Sequence, residues 1–308
     1  MNLRDLKYVI AVSETRHFGR AAERCFVSQP TLSGQIRKLE EALGVTLFER
    51  TSRSVSVTPI GMEIVRHAKL LMEQADVIEQ LARAHNDPLA GPLRVGAIPT
   101  ISPYLMPLIL IPLKRRVPQM KLVLVEEITD SLLRRLHDHQ IDVAILATPV
   151  TEPELEAMPL FDEPFWLAHP RGHELYDKEH ITHADLHKID LLLLADGHCL
   201  THQVMDVCRV RETPREEVAD LQAASLETLL HLVGAGFGCT LVPALAMGGY
   251  WMTDSGIIAR RLELEDAYRR VQLVYRRSFP RKAAIEALAD VIRDQLPNTV
   301  KVLGRSRA

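Results

Sequence analysis

The segment DGHCLTHQVMDVC places two thiols, Cys199 and Cys208, nine positions apart. Nine helical steps rise about 13.5 Å, whereas a disulfide needs Cα atoms roughly 4.4–6.8 Å apart. If the intervening residues are helical, the sulfurs meet only when the helix partly unfolds. Leu200, Val204, Met205 and Val207 would then leave their packing. One covalent bond would select between two folds of the segment, a bistable element with a chemical trigger. Cys199 follows His198, has His202 three residues on, and is expected to begin a helix. A helix N-terminus and a nearby imidazolium both favour a thiolate. Cys208, beside Arg209, fits a resolving thiol that attacks a sulfenic acid on Cys199. The plain alternative is a pair of unreactive packing cysteines.

The remaining cysteines, Cys25 and Cys239, sit among apolar neighbours and read as packing residues. Four cysteines in 308 residues make no disulfide framework, which suits a reducing compartment. No C-x-x-C pair is present, so the expected chemistry is stoichiometric and the protein is not expected to be an enzyme. Among 13 histidines, His137/His139, His183/His187 and His198/His202 are closely spaced. No Cys/His quartet has zinc-finger spacing, so neither a metal site nor a cofactor is expected. The chain is 47% hydrophobic and 25% charged, an ordinary globular balance. No run approaches ~18 apolar residues, and the charged N-terminus lacks a signal-peptide core. A cytoplasmic protein without a membrane partner is expected.

The elements that must position these thiols fall into an α+β multi-domain chain. Residues 1–58 read as a winged helix-turn-helix: a helix from Leu3, a short one at Phe18–Arg24, then one from Ser28 to about Leu43. Ser28 is placed as N-cap, Pro30 in the first turn and Gly44 just past the end. Ser28, Gln29, Pro30, Thr31, Ser33 and Gln35 crowd the start of that helix, with the lengths needed to read base edges or bond phosphate. Arg37 and Lys38 follow one turn on, and Arg50 and Arg53 lie on the small β-wing over Leu47–Thr58, suited to the DNA backbone or minor groove. The first 60 residues hold nine Lys/Arg against six Asp/Glu, in a chain whose net charge is −3. A basic head on an acidic body suits a polyanion partner.

Residues 59–87 read as one long helix. Ile64, Ala68, Leu71, Ala75, Ile78 and Ala82 alternate in steps of four and three, an a/d seam expected to make a homodimer. Asp87-Pro88 and Gly91-Pro92 mark residues 88–91 as a hinge. From 92 to 300, short apolar runs, including one at Asp190–Leu194, alternate with helical patterns. The expectation is a two-lobed α/β domain with largely parallel sheets. Lobe I is placed at about 92–162 and 268–300, and lobe II at about 163–267, with a ligand or reactive group in the crevice between them.

FGRAAERCFVSQPTLSGQIRKLEEALGVTLFER followed by VTPIG resembles the N-terminus of LysR-type transcriptional regulators, and the resemblance covers essentially the whole chain. It implies a periplasmic-binding-protein-like body and a dimer paired into a homotetramer that bends double-stranded promoter DNA and controls RNA polymerase. GHC, the second cysteine at this spacing, ASLETL at Ala224–Leu229 and IPT at Ile98–Thr100 resemble the peroxide-responsive members of that family. This implies hydrogen peroxide as effector, a reversible Cys199–Cys208 switch reset by cellular thiol reductants, and control of oxidative-stress genes. It also implies a pocket bordered by Thr100, Thr129, His198, His202 and an arginine, Arg269 or its neighbour Arg270. Thr201-His202 and Asp220 depart from the family pattern, and His202 is expected to serve as proton acceptor. The alternative is a LysR-type regulator with inert cysteines that responds to a small metabolite in the crevice.

Overall fold

The computed structural model describes residues 1–50, 55–210, 223–248 and 256–304. The chain forms two compact units, Met1–Asn86 and Asp87–Ala308.

The first unit opens with α1 (Leu3–Thr15), where Asn2 and Asp5 exchange a reciprocal capping box. In α2 (Phe18–Arg24) the ring of His17 accepts from the N–H groups of Gly19 and Arg20. α3 (Gln29–Leu43) starts where Ser28 Oγ accepts from the Thr31 N–H at 3.3 Å and ends on Gly44 at φ 69°, a left-handed position that costs glycine nothing. The wing is an antiparallel pair, β1 (Phe48–Arg50) and β2 (Val55–Val57). It is tied to α3 because Glu40 Oε1 accepts from the N–H groups of Leu47 and Phe48. Val9, Val12, Ala21, Leu32, Ile36 and Leu47 bury their side chains in a shared core. α4 (Pro59–Asn86) runs 28 residues.

The second unit begins with the turn Asp87–Ala90. The expected hinge at 88–91 is held to this unit: Arg281 donates to the carbonyls of Pro88 and Pro92, and Leu89 packs against the core. The strands β3 (Gly91–Ala97), β4 (Met120–Glu126) and β5 (Val143–Leu146) are parallel, joined by α5 (Ser102–Arg116) and α6 (Thr129–His137). The largely parallel expectation fails beyond them. A 16-residue strand, β6 (Leu155–Pro170), pairs antiparallel with β9 (Tyr268–Arg276), which is itself antiparallel to β5. Sheet order is β10 (Lys301–Val302), β6, β9, β5, β3, β4. Past Pro164, β6 pairs instead with β7 (Thr240–Pro243) and β8 (Ile257–Arg261), both antiparallel.

β6 therefore crosses between two cores. One gathers β3, α5, β5, β9 and α10 (Lys282–Gln295). The other gathers Phe165, Leu167 and Ala168 of β6, α8 (Cys199–Cys208), α9 (Leu226–Gly234) and β7, beside the one-turn α7 (His183–Leu186). The expected strand at Asp190–Leu194 reduces to single bridges, Leu191 with Cys239 and Leu194 with Ala223. These leave the segment irregular just before the thiols. Among the described residues no helix is long and apolar enough to cross a membrane.

Candidate functional site

Cys199 is the first residue of α8 and Cys208 the last, so the two thiols sit at opposite ends of one intact helix. Both are free; Cys199 is half-buried and Cys208 fully buried. The ends also belong to different cores. Cys199 packs against the core of the parallel strands, and Cys208 lies inside the core of α8 and α9. Burial, with the neighbouring Cys239 thiol, pushes the Cys208 thiol up to about 12. In this conformation Cys208 is therefore a poor nucleophile, because the thiolate is the reactive species. Leu200, Val204 and Val207 hold the helix down by their buried side chains. Thr201 ties its first turn back to the Leu194 carbonyl at 3.0 Å, and Gln203 donates to the Ala147 carbonyl at 2.6 Å.

A narrow crevice, closed to a water-sized sphere in this conformation, lies at the N-terminus of α8, lined by Ile98, Pro99, Thr100, Ile128, Thr129, Gly197, His198 and Cys199. Gly197 is required there. Its φ is 94°, and a Cβ would meet Ile128 Cδ1 at 3.1 Å, so a larger residue would be strained and would narrow the crevice. The amides of the first helical turn point toward Cys199 and favour negative charge at that end.

Thr100 is fixed from below by Arg269. Nη1 donates to Thr100 Oγ1 at 2.8 Å and Nη2 to the Thr100 carbonyl at 2.9 Å. Nε of the same guanidinium donates to Glu163 Oε2 at 2.8 Å, with side chains 1% and 0% exposed. Glu163 Oε1 accepts from the Leu245 N–H at 2.7 Å. The bond from Arg269 occupies an acceptor site on Thr100 Oγ1 and leaves its proton free to donate into the crevice. Thr129 Oγ1 is buried with no partner among the described residues, and a buried hydroxyl in that state is costly unless something bonds it.

Of the two candidate arginines, register decides. Glu163 pairs with Arg269 and Asp162 with Arg270 across β6 and β9, and strand alternation sends the first pair inward and the second out. Arg270 accordingly meets Asp162 at the surface. His198 lines the crevice as N-cap of α8, but burial lowers its proton affinity. The expected imidazolium beside Cys199 is therefore disfavoured, and the helix terminus remains as the favourable field. His202 is exposed and does not line the crevice. Sequence reasoning missed Glu163. Its signal was the Asp162-Glu163 pair matched by Arg269-Arg270, two adjacent acids opposite two adjacent bases.

In the first unit, Ser28, Gln29, Pro30, Thr31, Arg37 and Lys38 are exposed along α3, while Ser33 and Gln35 are half-buried. Arg50 ends β1, and Arg53 lies outside the described residues. The expected seam on α4 divides. Ala68 is buried and Ile64 packs into the head core, so both are used within the protomer. Leu71 is 47% and Ile78 68% exposed, Ala75 is half-buried and Ala82 exposed. Among the described residues no three His, Cys, Asp or Glu side chains converge as a metal site.

Residues 3–62 match the model of a bacterial regulatory helix-turn-helix protein of the lysR family, and residues 86–297 match the LysR substrate binding domain. The hydrogen peroxide-inducible genes activator of Pectobacterium carotovorum subsp. carotovorum is 41% identical over 305 residues, covering 99% of this chain and 100% of that one. The DNA-binding transcriptional dual regulator OxyR of Escherichia coli K12 is 42% identical over 296 residues, 96% of each. Among solved structures, a full-length OxyR variant of Pseudomonas aeruginosa aligns with a TM-score of 0.77 at 41% identity, covering 95% of both chains. A mutant OxyR of Corynebacterium glutamicum with H2O2 bound aligns at 0.65 and 36% identity, covering 96% of this chain and 92% of that one.

Proposed function

The chain belongs to the LysR family of bacterial transcriptional regulators, and on that footing we propose that it is a cytoplasmic, peroxide-sensing transcription factor of the OxyR type. The observation that carries the reading is the placement of one helix. α8 presents Cys199 to a crevice with two hydroxyls and hides Cys208 in a separate core. Peroxide carries a donor and an acceptor on each oxygen, which the Thr100 and Thr129 hydroxyls match.

The Cys199 sulfur attacks the proximal peroxide oxygen. The O–O bond breaks, and the distal oxygen leaves as hydroxide and takes a proton to become water. Cys199 is then a sulfenic acid. Cys208 attacks the Cys199 sulfur, the S–O bond breaks, and the hydroxyl leaves with the thiol proton as a second water. Two thiols and one peroxide give one disulfide and two waters, a stoichiometric event rather than turnover. Cellular thiol reductants restore the pair by exchange. α8 cannot stay helical across that bond, so the surfaces of lobes 92–162/268–300 and 163–267 repack.

The repacking is read out through dimers joined along α4 by Leu71, Ala75, Ile78 and Ala82, and paired into tetramers. Ser28, Gln29, Pro30, Thr31, Ser33 and Gln35 enter the major groove of promoter DNA, Arg37 and Lys38 meet phosphates, and Arg50 and Arg53 add charge for the DNA backbone. Spacing between heads then controls RNA polymerase. The test is thiol-labelling mass spectrometry and footprinting of full-length protein before and after micromolar peroxide. A Cys199–Cys208 link with a changed footprint, both absent in Cys199→Ser, is expected. An unchanged thiol count would overturn the proposal and favour a metabolite-responsive regulator.

A further inference from the structure

We propose that His183 is a positioning residue that holds the resolving end of α8 in its thiol conformation and so sets the rate of disulfide closure. The inference rests on the Cys199–Cys208 reading above and concerns its second step. His183 Nδ1 lies 2.9 Å from the carbonyl oxygen of Val207, in the last turn of α8. Its Nε2 lies 3.0 Å from Asp266 Oδ1, and the side chain is only 20% exposed. The Val207 carbonyl is an acceptor, so Nδ1 serves as the donor in that contact, and Nε2 faces Asp266. A side-chain donor on a terminal carbonyl closes a group that the helix itself leaves without an intrahelical partner.

The ring is itself held in place. It opens α7, where Asp185 Oδ2 accepts from the N–H and hydroxyl of Thr182 at 2.9 and 2.6 Å. Asp185 Oδ1 accepts from Lys178 Nζ at 2.5 Å. Two other carbonyls at this end of α8 are closed by backbone: Arg209, left-handed at φ 54°, donates to Asp206, and Val210 to Met205. His183 is thus the side-chain clamp on the turn that carries Cys208.

Closure must break this clamp. The Cα atoms of Cys199 and Cys208 stand about 13.5 Å apart along an intact helix, and the disulfide needs at most about 6.8 Å. Cys208 follows Val207 directly, so several ångströms of travel by Cys208 pulls the Val207 carbonyl out of hydrogen-bond reach. In the step concerned, Cys208 Sγ bonds to Cys199 Sγ, the sulfenic S–O bond breaks, and the hydroxyl leaves with the thiol proton as water. The first step, at the far end of α8, does not involve His183.

The two ring nitrogens are separable by substitution. An asparagine amide occupies nearly the place of Nδ1 and a glutamine amide that of Nε2. His183→Asn therefore keeps a donor on Val207, whereas His183→Gln keeps only the Asp266 side. The assay follows full-length reduced protein mixed with peroxide. Sulfenic acid formation is read by dimedone trapping in the Cys208→Ser background, and closure by acid-quenched alkylation with Cys208 intact. His183→Gln is expected to close severalfold and up to about tenfold faster, the equivalent of one hydrogen bond, with sulfenic acid formation unchanged. His183→Asn is expected to close at close to the wild-type rate. His183→Phe, which keeps a ring without donors, is expected to behave as His183→Gln and covers the case in which that variant folds poorly. A wild-type closure rate in both donor-less variants would overturn the inference, as would His183→Asn matching them. Absence of any Cys199–Cys208 link in the wild type is a different result, and overturns the redox reading itself.

Discussion

Replacing Arg269 with methionine removes the cation from a pair whose side chains are essentially out of water. Glu163 would keep the Leu245 N–H bond but lose its counter-charge, and an uncompensated buried charge costs about 3–5 kcal/mol. For a unit of roughly 200 residues, each kcal/mol lowers the melting point by about 2–4 °C, so a fall of roughly 6–20 °C is expected for the reduced protein. Adding Glu163→Gln removes the stranded charge while its side-chain carbonyl still accepts from Leu245. The double variant should therefore recover about half of the loss, a non-additivity expected of direct partners. Thr100 loses both bonds from Arg269 in either case, so sulfenic acid formation on Cys199 should slow at least about tenfold even where stability returns. Thermal unfolding by calorimetry and dimedone trapping measure the two effects separately. A single variant melting within about 2 °C of wild type, or a double variant no better than the single, would refute the argument from the buried pair.

Thr129→Val removes a buried hydroxyl that has no partner among the described residues while keeping its shape. The folded protein should gain up to about 1 kcal/mol and oxidise at Cys199 more slowly; wild-type oxidation would show that this hydroxyl plays no part. Ile78→Asp places a charge on an exposed position of the α4 seam and should weaken dimerisation at least about tenfold by light scattering. Burial, with Arg276 and His137 adding, holds His139 down to about 3, and burial shifts His169 and His198 in the same direction. Below the ordinary histidine value of about 6.5 the unfolded chain takes up protons that the folded one does not, so stability is expected to fall as pH drops from about 6.5 toward 3. His139→Asn, which suits the φ of 54° at this position, should flatten that fall in urea midpoints taken across pH; an unchanged slope would refute it.

Local signals were legible where one residue decides a boundary. Ser28 and Gly44 bracket α3, and the apolar spacing of Leu200, Val204 and Val207 predicts the helix that keeps the thiols apart. The long strand β6 was not legible. Pro159 and Pro164 interrupt it, and proline ordinarily argues against a strand interior. Missing β6 also hid Glu163, whose partner lies 106 residues further on. Only the register of β6 on β9 brings the two together and separates Arg269 from Arg270. Proximity in sequence to Cys199 likewise did not place His202 among the residues lining the crevice. The contact of His183 with Val207 spans 24 residues and carries no sequence pattern.

A switch of this kind must be reversible, and the packing of α8 bears on that. A ten-residue helix is too short to persist alone, so its stability comes from what it buries. Leu200, Val204 and Val207 are at most 5% exposed, and burying such side chains contributes about 1.5–3 kcal/mol each, or roughly 5–9 kcal/mol lost when oxidation unravels the helix. At 30 mV for each 1.4 kcal/mol, that raises the reduction potential by roughly 110–190 mV. A disulfide otherwise resting near −300 mV would move above the glutathione poise of about −220 to −260 mV, into the range that cellular thiols reduce. Val204→Ala trims the reduced conformer by about 1.5–3 kcal/mol. It should therefore make the disulfide harder to reduce, shifting its potential roughly 30–60 mV more negative in a glutathione titration. A potential that stays put or turns more positive would mean that the packing of α8 is not what opposes the bond.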